Sequence, residues 1–190
     1  MKQLIIILFI FTALLLAAED TVQFMETDGV AVINKQDYVP GMIRLFNNAR
    51  KTIHAVVYQT KYYEEYPDGT NRKMYKAIFD AVKRGVKAEI IVDQSSWNPS
   101  HSMDNAEFAE FMRSNGVEVY FEPPDKTTHS KVIIVDSLYS VVGSTNWSFY
   151  ALERNDESAV VVKSVPLAMS YIDFYYRLKE FSTEELTINQ

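Results

Sequence analysis

The chain reads as one α/β domain, a mixed β-sheet flanked by helices. Helix-like and strand-like stretches alternate for most of its length, as when helices pack on a sheet. Its 190 residues suffice for one domain with a sizeable core, and 47% hydrophobic with 23% charged residues is an ordinary globular balance. Val132, Ile133, Ile134 and Val135 are four β-branched residues in a row, as in a strand covered on both faces. No stretch reads as a linker, and no internal repeat is visible.

Thr21 to Asn34 is strand-like, with a turn at Asp28-Gly29. Asp37 to Ala49 reads as a helix, with Met42, Leu45 and Phe46 at core spacing and Pro40 in the first turn, where a missing N–H costs little. Thr52 to Gln59 is a second strand, and its His54 sits among apolar neighbours as a structural residue. A tyrosine-rich loop follows from Lys61 to Gly69, then a helix from Thr70 or Asn71 to Gly85 with Met74, Ile78 and Val82 inward. That helix carries Arg72, Lys73, Lys76, Lys83 and Arg84 outward, a solvated face or an approach path for a polyanion. Val86 to Asp93 is a third strand, and Gln94 to Ser102 a polar loop holding Trp97 and His101. Asp104 or Asn105 is expected to cap a helix to Asn115, with Gly116 as its stop. Val117 to Phe121 and Ser158 to Lys163 are further strands. Pro166 to Phe181 is the last helix, and its stripe of Leu167, Tyr171, Phe174, Tyr175 and Leu178 suits core or subunit contact.

The chemistry concentrates between Thr128 and Asn146. Side chains two apart on a strand share a face, so His129 and Lys131 point the same way. A base and a cation at the mouth of a buried strand serve no purpose in a core. Leu138 to Val142 reads as the return strand, and Gly143 permits a bend. Ser144 and Asn146 then precede a helix start at Trp147-Ser148-Phe149, whose free N–H groups suit a phosphate. Together these residues describe a phosphoryl-transfer site.

The spacing His129-x-Lys131-(x)4-Asp136-(x)6-Gly143-Ser144-x-Asn146 resembles the signature of the phospholipase D superfamily at every position. The chain is most similar to its small single-signature members, bacterial endonucleases of the Nuc type and their mitochondrial relatives. Glu157, in Asn155-Asp156-Glu157-Ser158-Ala159-Val160, matches the segment where those proteins carry a further acid. The resemblance implies a metal-independent phosphodiesterase, without a cofactor, whose His129 forms a phosphohistidine. It implies Lys131 and Asn146 on the phosphoryl oxygens, Ser144 shaping that pocket, and Glu157 orienting a His129. Because the signature occurs once, it also implies a homodimer with one His129 from each copy at a shared centre. Asp136, an odd number of residues from His129 and Lys131, is expected to be structural, bonding backbone behind the site. The expected substrate is nucleic acid; the alternative is a phospholipase D-type hydrolase of phospholipid headgroups. A metal site from His101, Asp104 and His129 matches no standard ligand spacing.

A net charge of −6 argues against broad electrostatic capture of nucleic acid and leaves room for a local basic groove. Candidate lining residues are Arg72, Lys73, Lys126 and Arg154, with Trp97, Trp147 and the tyrosines as stacking candidates. With no cysteine, disulfides and thiolate metal sites are ruled out. Lys2, an apolar run from Leu4 to Leu16 and Ala17-Ala18 ahead of Glu19-Asp20 describe an export signal cut near Ala18 or a retained anchor. The expected division is a leader over residues 1–18 and a catalytic domain over 19–190, exported or attached to a membrane.

Overall fold

The computed structural model describes residues 22–188, and the leader expected over residues 1–18 lies outside them. Seven strands form one sheet in the order β1-β7-β6-β5-β2-β3-β4. The mixed α/β architecture is therefore the one the alternating pattern predicts.

Three strands run parallel. They are β2 (Thr52–Val57), β3 (Lys87–Val92) and β4 (Glu118–Phe121). The remaining pairings are antiparallel: β5 (Lys131–Val135) on β2, β6 (Tyr139–Gly143) on β5, β7 (Ala159–Lys163) on β6, and β1 (Gly29–Val32) on β7. Of the strand expected from Thr21 to Asn34, Thr21 lies outside the described residues and the paired strand covers Gly29 to Val32, with one further backbone bond to β7 from each of Asp28 and Ile33.

Alternation along the strands sorts the core into two layers. Ile53, Ala55 and Val57 of β2 join Ile90, Val92, Ile133 and Val135 on one face. There they pack against α1 (Tyr38–Asn48), α2 (Thr70–Lys83) and α3 (Pro99–Arg113), through Met42 and Phe46, Met74 and Ile78, and Phe108 and Met112. Val132 and Ile134 face the other way, onto Ala168 and Ile172 of α5 (Val165–Lys179), and Val56 and Ile91 meet Tyr175. The tyrosine stripe of α5 is thus core contact. His54, on the same face, is structural: its Nε2 lies 3.2 Å from the buried Glu89 carboxylate, and its ring meets Tyr175 edge-on. Burial alone would raise the Glu89 carboxyl, but bonds from His54, Lys179 and Lys87 hold it below the usual range.

One helix starts earlier than expected. Asn98 accepts from the His101 N–H at 3.3 Å and Pro99 follows in the first turn, so α3 begins there rather than near Asp104. The polar loop is shorter as a result, and His101 and Ser102 become buried helical residues.

Asp136 is structural, as its parity suggests. It sits at the turn between β5 and β6 with a φ of 57°, a left-handed conformation that Asp and Asn tolerate. Its carboxylate accepts from the backbone N–H groups of Arg50, Lys51 and Thr52 at 2.7–3.1 Å, just ahead of β2. Asp136→Ala is expected to destabilise the fold by about 2–3 kcal/mol through lost charge-assisted bonds and a strained turn. Asp136→Asn keeps an acceptor and the turn, so it should cost less. Urea denaturation of the two variants checks the order.

Candidate active site

The functional candidates come together at one edge of the sheet because of strand direction. The carboxyl ends of β2, β3 and β4 share that edge, the usual place for sites in α/β sheets. Antiparallel pairing brings the start of β5, the end of β6 and the start of β7 to the same edge. Tyr58, Asp93, Glu122, His129, Lys131, Ser144, Asn146 and Glu157 therefore cluster there, and Asp136 lies at the opposite edge.

Lys131 is almost fully buried. Its Nζ donates to the His129 carbonyl at 2.8 Å and stands 4.8 Å from the centre of the Tyr58 ring. Burial pushes its pKa down, while Glu157 and Asp93 pull it back up. The His129 ring is exposed and rests on Tyr58, with 4.6 Å between ring centres. His101 also stacks on Tyr58, with 4.4 Å between ring centres.

A buried network holds this stack. The Asp93 carboxylate accepts the Thr128 N–H at 2.8 Å, one residue before His129, and lies 3.2 Å from His101 Nε2. Asn105 donates to the carbonyls of Tyr58 at 2.9 Å and Asp93 at 2.8 Å, and accepts the Thr60 N–H at 2.8 Å. It thereby ties the ends of β2 and β3 together. Sequence reasoning missed Tyr58, Asp93, Asn105 and Glu122 as site residues. The one available signal was position, since each follows a strand or lies on the helix packed beneath.

Across the edge, the Glu157 carboxylate accepts from the Ser144 hydroxyl and from Asn155 Nδ2, the latter at 2.9 Å. Within the chain it therefore holds Ser144, and it makes no bond to His129. Asn146 is half-buried, and its Oδ1 finds no donor among the described residues. Gly143 serves close approach: a Cβ there would collide with the Ser158 carbonyl and Ala159 on β7.

Two expectations change. The helix after Asn146, α4 (Phe149–Glu153), has only five residues, and the Phe149 N–H is taken by the Tyr63 hydroxyl at 3.2 Å. It offers no helix-dipole cradle for an anion. Trp147 is fully buried, with its indole N–H 3.2 Å from the Tyr38 oxygen, so it cannot stack on a ligand. The outer cations of α2 keep the solvated-face reading: Lys76 pairs with Asp80 at 2.6 Å on the surface, Arg84 reaches the Phe46 carbonyl at 2.8 Å, and Arg72 lies over the Phe111 ring at 4.5 Å. Among the described residues no cluster of three or more His, Cys, Asp or Glu side chains could hold a metal ion. His101 is committed to Asp93, and Asp104 to Lys61 at 2.8 Å.

Glu122 is buried beside Asp93, and burial followed by the charge of Asp93 raises its carboxyl pKa to about 7. The folded state therefore binds more protons than the unfolded chain between the ordinary 4.5 and about 7. Stability from this group is full below that window and declines as pH rises through it. Glu122→Gln should remove the decline, so the wild-type-minus-variant difference in urea midpoint should fall from pH 4.5 to 7 and then level off.

The family model described as "Cardiolipin synthase, PLD-like domain" matches residues 42–178. A curated "Phospholipase D" of Rickettsia bellii (strain RML369-C) is 33% identical over 96 residues, 50% of this chain and 45% of that protein. The chain thus spans about half the length of the curated relatives it matches. Among solved structures, the phospholipase D family member Nuc from Salmonella typhimurium superposes with a TM-score of 0.69 at 22% identity, covering 82% of this chain and 96% of that one. NucT from Helicobacter pylori superposes at 0.64 and 18% identity, covering 82% and 98%. Signature, sheet order and family model converge, and the chain belongs to the phospholipase D superfamily.

Proposed function

We propose that this protein is a phosphodiesterase that cleaves nucleic acid through a histidine nucleophile, without a metal. The observation that carries the reading is the meeting of His129, Lys131, Ser144, Asn146 and Glu157 at one sheet edge, with the buried Lys131 fixed beside an exposed imidazole.

The chemistry needs a nucleophile, a proton donor and charge stabilisation at the phosphoryl oxygens. A neutral His129 attacks phosphorus, a P–N bond forms, and the P–O bond to the leaving alcohol breaks. The leaving oxygen takes a proton from a second imidazole, which then removes a proton from water. That water attacks phosphorus, the P–N bond breaks, and His129 is regenerated. Lys131 and the Asn146 amide stabilise the non-bridging oxygens, while Glu157 holds Ser144 at their edge. The second imidazole comes from His129 of a second copy, because His54 and His101 are buried and committed to Glu89 and Asp93. A two-fold pairing brings one residue face to face with itself and so supplies both roles.

Nucleic acid is preferred because aromatic rings alternate with cations beside the signature. Phospholipid is the second reading, supported by the name of the Rickettsia relative and the description of the family model. The apolar run from Leu4 to Leu16 would place the protein outside the cytoplasm or on a membrane. Among the described residues no helix is long and apolar enough to cross one.

Incubating the purified chain with single-stranded DNA, RNA, duplex DNA and phosphatidylcholine vesicles in excess chelator tests the reading. Cleavage of nucleic acid should survive the chelator and fall at least about 10³-fold in His129→Ala, since the nucleophile is lost. Turnover of phosphatidylcholine alone would sink the nucleic-acid assignment and leave the phosphodiesterase one standing. Tyr58→Leu should lower kcat roughly ten- to hundredfold by releasing the His129 and Lys131 side chains. Tyr58→Phe, which keeps the ring, should stay within about threefold of wild type, with kcat and thermal midpoint measured on the same samples.

A further inference from the structure

Beside the signature loop lies a cavity of about 390 Å³ that the chemistry above does not use. Its walls continue the two segments that carry Tyr58 and Asn146. Chain leaving β2 runs from Tyr58 through Lys61 to Tyr63, Tyr66 and Thr70, and chain leaving β6 runs from Asn146 to Phe149 and Tyr150. The two are laced together: Lys61 N–H bonds the Trp147 carbonyl at 3.0 Å, Trp147 N–H bonds the Gln59 carbonyl at 2.9 Å, and Phe149 N–H bonds the Tyr63 hydroxyl at 3.2 Å. The cavity is therefore built onto the loop that carries Asn146.

Its lining is aromatic and polar, with Tyr63, Tyr66, Phe149 and Tyr150 supplying the rings, Thr70 and Asn71 polar edges, and Asp68 one acidic group that a phosphate must avoid. No aliphatic side chain contributes. An acyl chain prefers aliphatic walls, whereas ring faces with polar edges suit a planar heterocycle. The rings are also poorly used by the fold, since Tyr66 is 63% and Tyr150 68% exposed. Cations border the same rings: the Arg154 guanidinium lies 5.7 Å from the Phe149 centroid, and Lys61 Nζ, which is paired with Asp104, lies 5.9 Å from that of Tyr63. Positive charge beside stacking faces matches a strand that carries a phosphate on each nucleotide.

We infer that this cavity is a subsite for an unpaired nucleobase of the strand being cut, flanking the phosphodiester at His129. The inference rests on the nucleic-acid reading above and adds how the substrate is gripped. Stacking on these rings selects single strands, because a base inside a duplex has no free face. It tolerates any base, because every base has a π-face.

The test uses the full chain carrying His129→Ala, so that binding is read without cleavage. The probes are an oligothymidylate and an abasic strand with the same number of phosphates, titrated by fluorescence anisotropy at several salt concentrations. Oligothymidylate should bind about tenfold or more tighter than the abasic strand, the scale of base–aromatic stacking. Adding Tyr66→Ala and Tyr150→Ala should erase that preference while leaving the slope of affinity against salt, which reads phosphate contacts, unchanged. Tyr66→Phe with Tyr150→Phe should keep it. Equal affinity for the two strands before these changes, or equal losses on both strands after the alanine changes, would overturn the subsite. So would dissociation of a dimer by the alanine changes, in sedimentation, with loss of both strands, because the rings would then be covered by a second copy. Wild-type chain that cleaves single strands yet shows no base preference refutes the subsite alone. Wild-type chain that turns over only phosphatidylcholine, with its His129→Ala form binding neither strand, refutes the nucleic-acid reading as well.

Discussion

The pairing of β5 against β2 is the constraint on which the rest depends. Val57 lies opposite Lys131 and Ile53 opposite Val135, so both strands bury one set of residues under α1–α3 and the other under α5. A slip of one residue would exchange the two sets and carry Lys131 to the wrong face. Register is held at both ends by polar clamps. At one edge the Asp136 carboxylate gathers the N–H groups that precede β2. At the other, Tyr58 N–H bonds the Ser130 carbonyl at 3.0 Å and Asp93 bonds Thr128 N–H. The residue that closes the far end and the signature residues at the near end are thus parts of one strand alignment. This explains why an aspartate so far from the chemistry belongs to the signature.

The site combines a rigid base with an open front. Asp93, His101, Asn105 and Tyr58 are joined by short polar contacts and ring stacking beneath the reacting groups. His129 sits on that platform with its ring exposed, and Lys131 reaches the same platform from within. Burial of an ammonium is costly, and here it is offset by a carbonyl, a π-face and two carboxylates nearby. A cation held this way has little freedom to relax around an anion, which is the condition for preorganised electrostatic stabilisation. A single chain nonetheless presents only one free imidazole, so the reaction proposed for it calls for a second copy.

The sequence carried much of this on its own, for identifiable reasons. Period-two and helical spacing found the strands and helices, because burial on a sheet face or helix stripe leaves a repeating mark. The parity of Asp136 relative to Lys131 separated the structural member of the signature from the others. Two errors were local. The start of α3 turned on Asn98-Pro99, a cap and first-turn pair outweighed in the reading by the polar run around it. Trp147 is a stacking candidate by residue type alone, whereas its indole is buried against Tyr38 of α1 and Tyr75 of α2.

From sequence alone came the α/β class, the order of elements, the membership and spacing of the signature residues, and the structural roles of His54 and Asp136. These are properties of short-range pattern, written within a strand or a turn. The tertiary structure decided that Tyr58 and Asp93, each separated from His129 by other elements, share its sheet edge with Glu122, which lies across the loop after β4. It also decided that Glu157 grips Ser144 and that the tyrosines after β2 form a cavity with Phe149 and Tyr150. Such contacts depend on which strands become neighbours and in which direction they run. No local periodicity encodes that, because strand order follows from packing the whole core at once.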